Sequence, residues 1–281
     1  MRLRSLLFVP GDRPERFAKA AASGPDALIL DLEDSVVAER KDFAREAIGE
    51  WLADVREIPC FVRVNPLGTA NIADDLAMLA SCRPAAGLVL PKADGAAAIR
   101  ALVALVAQSG AVCPPILPIA TETPAALFHL GSYGDVAPHL AGLTWGAEDL
   151  PAAIGAAGAR ESDGSYTAPF AMVRSLALFA AHAAGVAAIE TVYPDIADVD
   201  GLAAYVARGR RDGFTGMLAI HPAQIESINS GFTPSAEEIA AAEEIVQAFR
   251  AQPTAGALRL HGKMIDRPHL EQARRLLARA E

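Results

Sequence analysis

Ile29-Leu30-Asp31-Leu32-Glu33-Asp34-Ser35-Val36 places three carboxylates within four positions, directly after an apolar run that begins at Ala27. Side chains alternate across a strand, so Leu30 and Leu32 share one face while Ile29, Asp31 and Glu33 share the other. Unpaired buried carboxylates are costly and raise each other's pKa. The acidic face must therefore meet cations or open into solvent at the strand end. Folding alone asks for neither, so the acids point to chemistry.

Moving outward, short apolar runs recur at Ser5–Pro10, Ala27–Glu33, Cys60–Asn65, Gly87–Lys92, Ile116–Glu122, Gly142–Gly146, Ala187–Val192 and Met217–Pro222, eight in all. Between them Pro14–Ala22, Lys41–Leu52, Asn71–Ser81, Gly95–Gln108, Pro124–His139, Phe170–Ala184 and Gly201–Asp212 carry Ala, Leu and charged residues at helical spacing. Alternation of this kind implies parallel strands with right-handed crossovers, and eight repeats favour a closed (β/α)₈ TIM barrel over an open doubly wound sheet. The expected organisation is a barrel catalytic domain over residues 1–230 and a C-terminal helical extension over 231–281. In the extension, Thr233-Pro234-Ser235 caps a helix running to about Phe249 and a last helix spans Pro268–Ala280. The stretch Gln252–Ala257 between them reads as a hinge, so the last segment is expected to reach a neighbouring subunit.

A chain of 281 residues suits one such barrel, and 52% hydrophobic with only 6% aromatic residues suits strands sheathed by Ala-rich helices. A net charge of -9 gives no reason to bind nucleic acid or an anionic membrane. Three cysteines, Cys60, Cys82 and Cys113, are odd in number and widely spaced, which argues against a disulfide framework or a zinc site and for a reducing cytoplasm. The apolar run near the start is too short for a signal peptide, and no stretch is long and uncharged enough to span a bilayer.

Parallel barrels place their active sites at the C-terminal strand ends. Those ends are polar here: Asp31-Leu32-Glu33-Asp34, Arg63-Val64-Asn65, Pro91-Lys92, Thr121-Glu122, Gly146-Ala147-Glu148-Asp149 and His221. By phase Arg63 and Asn65 face inward with Asp31 and Glu33. A rim carrying Glu33, Asp34, Glu122 and Asp149 beside Arg63 has the hard-oxygen chemistry that Mg²⁺ prefers, and no His or Cys cluster competes for zinc. Plainer readings stay open: Glu122 before Pro124 and Asp149 before Pro151 can cap helices, Asp266 before Pro268 can start one, and His221 before Pro222 reads as structural.

The segments SLLFVPGDRPERFAKA, ALILDLEDSV, VRVNPLGT, LVLPKAD, GLTWGAEDL, GFTGMLAIHPAQI, FTPSAEEIAAAEEIV and GKMIDRPHLEQARRLL, in this order, resemble the citrate lyase beta-subunit-like family of the HpcH/HpaI aldolase superfamily, which includes malyl-CoA and citramalyl-CoA lyases. The resemblance covers essentially the whole chain. It implies a magnesium-dependent carbon–carbon lyase acting beside a CoA thioester, in trimers or hexamers. Carried over by position, Glu122 and Asp149 would ligate the metal, Arg63 would contact substrate and the thioester enolate, and Asp34 and Glu33 would hold metal-bound waters or orient Arg63. Glu33, Gly146 and Ala147 would line the substrate, and Asp266 would enter from the adjacent subunit as acid or base. Arg13, Lys19 and Lys92 would meet CoA phosphates, in the absence of any Gly-rich phosphate cradle. One departure is Ile119-Ala120-Thr121-Glu122-Thr123, where the family often has Ile-Glu-Thr or Val-Glu-Thr. The loop Arg160–Gly164, expected to shape the pocket, does not name the acyl group.

Three functions compete on these residues. One is a stand-alone lyase on 3-hydroxy-3-carboxyacyl-CoA, another the beta subunit of a citrate lyase complex partnered by an acyl carrier protein, and a third a class II pyruvate aldolase on free 2-oxo acids. In the first, Arg63 balances the enolate and Asp266 moves its proton. Loss of one positioned oxyanion donor typically costs about a hundred- to a thousand-fold in rate. Arg63→Ala is accordingly expected to leave folding intact and nearly abolish turnover, and a steady-state assay showing ordinary activity would remove that role.

Overall fold

The computed structural model describes residues 1–54 and 57–280. Strands and helices alternate as β1 (Ser5–Pro10), α1 (Phe17–Ala22), β2 (Ala27–Asp31), α2 (Lys41–Ala53), β3 (Cys60–Arg63), α3 (Asn71–Ser81), β4 (Gly87–Leu90), α4 (Gly95–Gln108), β5 (Ile116–Pro118), α5 (Pro124–Leu127), β6 (Gly142–Thr144), α6 (Asp149–Ile154), α7 (Ala168–Ala184), β7 (Ala187–Glu190), α8 (Val199–Asp212), β8 (Gly216–Ala219) and α9 (Ile225–Phe232). The eight strands pair in the order β5-β4-β3-β2-β1-β8-β7-β6. The remaining seam, between β5 and β6, is closed by parallel bridges Ile116 to Leu140 and Ile119 to Thr144, with Ala141 N donating to Ile116 O at 2.8 Å and Ala120 N to Thr144 O at 2.9 Å. The fold is a TIM barrel.

Inside the barrel Leu6, Ile29, Phe61, Val89, Leu117 and Leu218 form one apolar cluster, each from a different strand. Their neighbours in sequence, such as Leu7, Leu30 and Val62, are equally buried, because they face the helices. The inward phase of Ile29 and Phe61 delivers Asp31 and Arg63, two residues later, to the rim. The polar residues beyond them lie in loops, because the strands stop earlier than the apolar runs suggest: β2 at Asp31, β3 at Arg63, β4 at Leu90, β5 at Pro118. Alternation therefore ends at Arg63. Asn65, expected inward, instead donates to Asp75 of α3 at 2.7 Å and accepts from Lys41 of α2 at 2.7 Å.

The helix expected over Pro124–His139 breaks into α5 and a 3₁₀ segment, Leu130–His139. Gly131, Gly134 and Pro138 within that stretch disfavour a continuous α-helix.

By contacts the chain forms two compact units, Met1–Asn229 and Ser230–Glu281. The second holds α10 (Ala236–Ala251), a hairpin of β9 (Ala257–Leu260) and β10 (Lys263–Asp266), and α11 (Arg267–Ala280). Ser235 caps α10 in a reciprocal box with Glu238, and Ala242, Val246 and Ala273 form the unit's core. The hairpin fills the span between the stretch read as a hinge and the last helix, where the sequence shows no strand signal. Its two-residue turn, His261 and Gly262, takes φ of 47° and 79°, the positive values that match a tight turn to strand twist.

Phe61 is wholly enclosed two residues below Arg63. Phe61→Ala should cost about 3–5 kcal/mol, measured by urea unfolding. A loss under about 1 kcal/mol, far below that cavity cost, would mean the ring is not enclosed.

Candidate active site

Parallel register sets Asp31 of β2 opposite Arg63 of β3. Arg63 Nε and Nη2 donate to Asp31 Oδ1 and Oδ2, both at 2.6 Å, a bidentate fork. Asp31 also accepts from the Glu33 amide at 2.9 Å and from the amide and hydroxyl of Ser35, which folds the acidic loop around it. Arg63 Nη1 lies 2.9 Å from Glu33 Oε2, and its guanidinium stands 4.9 Å from the centre of the Phe8 ring on β1. The arginine is thus held on three sides. Burial alone would raise the pKa of Asp31, yet the Arg63 hydrogen bonds prevail and hold it below the usual carboxylate range.

Lys92 follows β4 in the left-handed region, φ 49°, where a non-glycine residue is strained. The turn aims its amide at Glu122 Oε2, 2.5 Å away, and its ammonium at Glu33 Oε1, 2.6 Å away. The same ammonium stands 3.9 Å from both Asp34 Oδ2 and Asp149 Oδ2. Lys92, expected to meet a CoA phosphate, thus stands among four acids.

Glu122 is 5% exposed. Thr123, not Glu122, caps α5 by accepting from Ala126 N at 3.2 Å, and no side chain caps the start of α6. Neither acid is therefore consumed by helix capping. Burial, with Asp149 adding to it, pushes Glu122 up to about 8. Two carboxyl groups so close, one nearly out of water, can both be charged only with a cation beside them.

Gly146 and Ala147 set the spacing behind this pair. Thr121 Oγ1 accepts from Gly146 N at 3.1 Å and donates to Gly146 O at 3.2 Å, pinning the β6 loop to the segment that carries Glu122. A Cβ at Gly146 would come within 2.8 Å of Glu122 Cγ, so only glycine lets the two loops approach. Ala147 is buried beside it.

The other polar residues singled out by the sequence lie around this group or further along the chain. Asp34 is exposed and faces Lys92; the part of orienting Arg63 is filled by Asp31 and Glu33. Arg13 is exposed in the loop after β1, 3.9 Å from Asp12, and Lys19 is exposed on α1. His221 caps the short turn after β8. Asp266 ends β10 in the second unit, with its Oδ1 2.6 Å from His269 Nδ1.

The donor set suits a hard divalent cation. Among the described residues no three His, Cys, Asp or Glu side chains are grouped to hold an ion by themselves. A cation at Glu122 and Asp149 would complete its shell with water and substrate oxygens, the habit of magnesium.

A parallel barrel with paired carboxylates and a fixed guanidinium at its C-terminal rim defines a (β/α)₈ enzyme built for oxyanion chemistry. The family model HpcH/HpaI aldolase/citrate lyase matches residues 4–222, and a carbon–carbon bond lyase model of the TIM-barrel fold matches residues 171–281. The chain belongs to the HpcH/HpaI aldolase/citrate lyase family, a family of the carbon–carbon lyase type. A citrate lyase subunit beta-like protein of Mycobacterium tuberculosis is 39% identical over 98% of this chain and 94% of its own length. A (3S)-malyl-CoA thioesterase of Cereibacter sphaeroides is 32% identical over 99% of this chain and 94% of its own. The structure of CitE from M. tuberculosis in complex with magnesium, acetoacetate and coenzyme A superposes with a TM-score of 0.83 at 36% identity, covering 99% of this chain and 97% of that one.

The geometry revises one expectation about Arg63. Removing it leaves Asp31, 1% exposed, without its counter-ion, so Arg63→Ala should destabilise the fold by about 3–5 kcal/mol near neutral pH. Asp31 has a depressed folded pKa, so its pairing stabilises above the ordinary carboxylate pKa and is lost as pH falls through the folded value. The deficit of the variant should therefore shrink in acid, as read by denaturant melts across pH. A deficit constant with pH would deny the pair this role.

Proposed function

We propose that this chain is a magnesium-dependent lyase that cleaves, or in reverse forms, a carbon–carbon bond in a 3-hydroxy-3-carboxyacyl-CoA thioester such as malyl-CoA or citramalyl-CoA, releasing a 2-oxo acid and an acyl-CoA. The observation that carries this reading is the Glu122–Asp149 pair, from separate strand ends, beside the immobilised Arg63. M. tuberculosis CitE was also solved with magnesium and pyruvate, and its citrate lyase beta subunit with oxaloacetate and magnesium, which supports a 2-oxo acid as product.

In this reading Glu122 and Asp149 hold the ion, and Gly146 and Ala147 line the 2-oxo acid. Magnesium, when bound, supplies Lewis acidity to the substrate's hydroxyl and carboxylate oxygens. Asp266 of a second copy takes the hydroxyl proton, the adjacent carbon–carbon bond breaks to leave the carbonyl of the 2-oxo acid, and the electron pair passes to the thioester as an enolate. Arg63 balances that charge, held ready by Asp31 and Glu33 so that little reorganisation accompanies it. Asp266 of a second copy returns a proton to the enolate carbon, with the unit from Ser230 onward packing on a neighbouring subunit in a trimer or hexamer. Arg13, Lys19 and Lys92 are the cations that would meet CoA phosphates, Arg13 and Lys19 from exposed positions and Lys92 from beside Glu33.

A second reading is the beta subunit of a citrate lyase, acting on an acyl-carrier-protein thioester. The citrate lyase subunit beta of Escherichia coli, 32% identical over 99% of this chain and 93% of its own, supports it.

Incubating the purified chain with magnesium and malyl-, methylmalyl-, citramalyl- and citryl-CoA should release a 2-oxo acid from at least one. Chelation should stop the reaction, readdition of magnesium restore it, and Glu122→Gln reduce it to the chelated level. Release of free thiol from intact malyl-CoA would instead indicate a thioesterase, and inertness cured by carrier-bound substrate the citrate lyase subunit. Cleavage of free 2-oxo acid adducts without CoA would indicate the aldolase.

A further inference from the structure

The carboxylate pair is supported by a buried network on the far side of the β6 loop. Trp145, fully enclosed, immediately precedes Gly146 and lies four residues before Asp149. Its indole Nε1 donates to Glu190 Oε1 at 2.6 Å. Glu190 ends β7, is itself fully buried, and receives Arg174 Nε of α7 on its other oxygen at 2.7 Å. Arg174 Nη1 in turn donates to Asp212 Oδ2 at the end of α8, 2.7 Å away. The Trp145 ring meets Tyr166 edge-on, with centroids 5.0 Å apart. The segment bearing Asp149 is thus gripped at Trp145 by the β7 side and at Gly146 by Thr121 of the Glu122 side.

We propose that Glu190, acting through the Trp145 indole, is a positioning residue that fixes the separation of Asp149 from Glu122 and thereby the affinity of the site for its divalent cation. The inference rests on the reading of Glu122 and Asp149 as the cation's ligands. The physical reason is that Asp149 has no aligned support from its own helix terminus, being 39% exposed at the uncapped start of α6. Its place is inherited from the rigid backbone just before it. A carboxylate that accepts three hydrogen bonds, from Trp145, Arg174 and the Thr191 amide at 3.1 Å, cannot reorient without breaking a buried ion pair. A purely structural role for the network predicts something different: lower melting temperature in the variants with unchanged cation binding.

The test uses the full chain and magnesium alone as probe, titrated calorimetrically. Trp145→Phe keeps the aromatic bulk and the Glu190–Arg174 pair while removing the indole donor. Glu190→Gln keeps the shape and a carbonyl acceptor while removing the charge that holds Arg174. Partners of metal ligands typically contribute about ten- to a hundred-fold in metal affinity when lost. Trp145→Phe should weaken magnesium binding by about that factor, and turnover at saturating magnesium should return close to the parent's. Glu190→Gln should shift in the same direction, and it keeps the question decidable if Trp145→Phe does not fold. Magnesium affinity equal to the parent's in a folded Trp145→Phe or Glu190→Gln protein overturns the inference and leaves the ligand assignment standing, provided Glu122→Gln abolishes binding. A parent that binds no magnesium overturns both.

Discussion

The forked pairing of Arg63 with Asp31 is the constraint around which the rest of the rim is arranged. It follows from strand register, because parallel pairing of β2 with β3 leaves these two side chains abreast on the inward face. Once the guanidinium is fixed there, Glu33 is drawn against its remaining nitrogen and Lys92 against Glu33. Lys92 then brings its amide to Glu122, and Glu122 stands against Asp149. A chain of opposed charges thereby crosses from β2 to β6 and ends on Glu122 and Asp149, where Lys92 offers Glu122 only its amide and stands 3.9 Å from Asp149.

That ordering explains why neighbouring acids behave differently. Asp31 and Glu33 are almost equally hidden, yet both oxygens of Asp31 accept hydrogen bonds while Glu33 Oε2, though 2.9 Å from Arg63, accepts none, and the pKa of Asp31 falls while burial raises that of Glu33. Glu122, with a single amide for company and Asp149 at hand, is pushed furthest among the three in the direction of the neutral form. The rim is therefore graded in its hunger for positive charge, and the gradient points to the β5–β6 side.

Much of the barrel is legible in the sequence because its signals are local. The α3 and α4 segments carry unbroken helical periodicity between turn residues, and each polar strand end stands directly after an apolar run. The strand ends also single out Glu33, Arg63, Lys92, Glu122 and Asp149, which the fold brings into contact or near it. What local pattern does not carry is pairing. The match of Asp31 to Arg63 depends on register, and the link from Trp145 to Glu190 joins residues 45 apart whose sequence context reads simply as core. The hairpin at β9 and β10 is missed for another reason: its strands are mostly exposed, so alternation is faint and only the His261-Gly262 turn announces it.

At Lys92 the backbone and the side chain serve different partners. Because its link to Glu122 is made by the main-chain nitrogen and its link to Glu33 by the side chain, electrostatics and orientation are carried by separate atoms of a single residue. Exchanging the side chain erases the ammonium and spares the amide, whereas a glycine there would ease the twist of the chain and strip the charge together. Position 92 thus offers the chemist two independent handles on one rim, which no ordinary salt bridge provides.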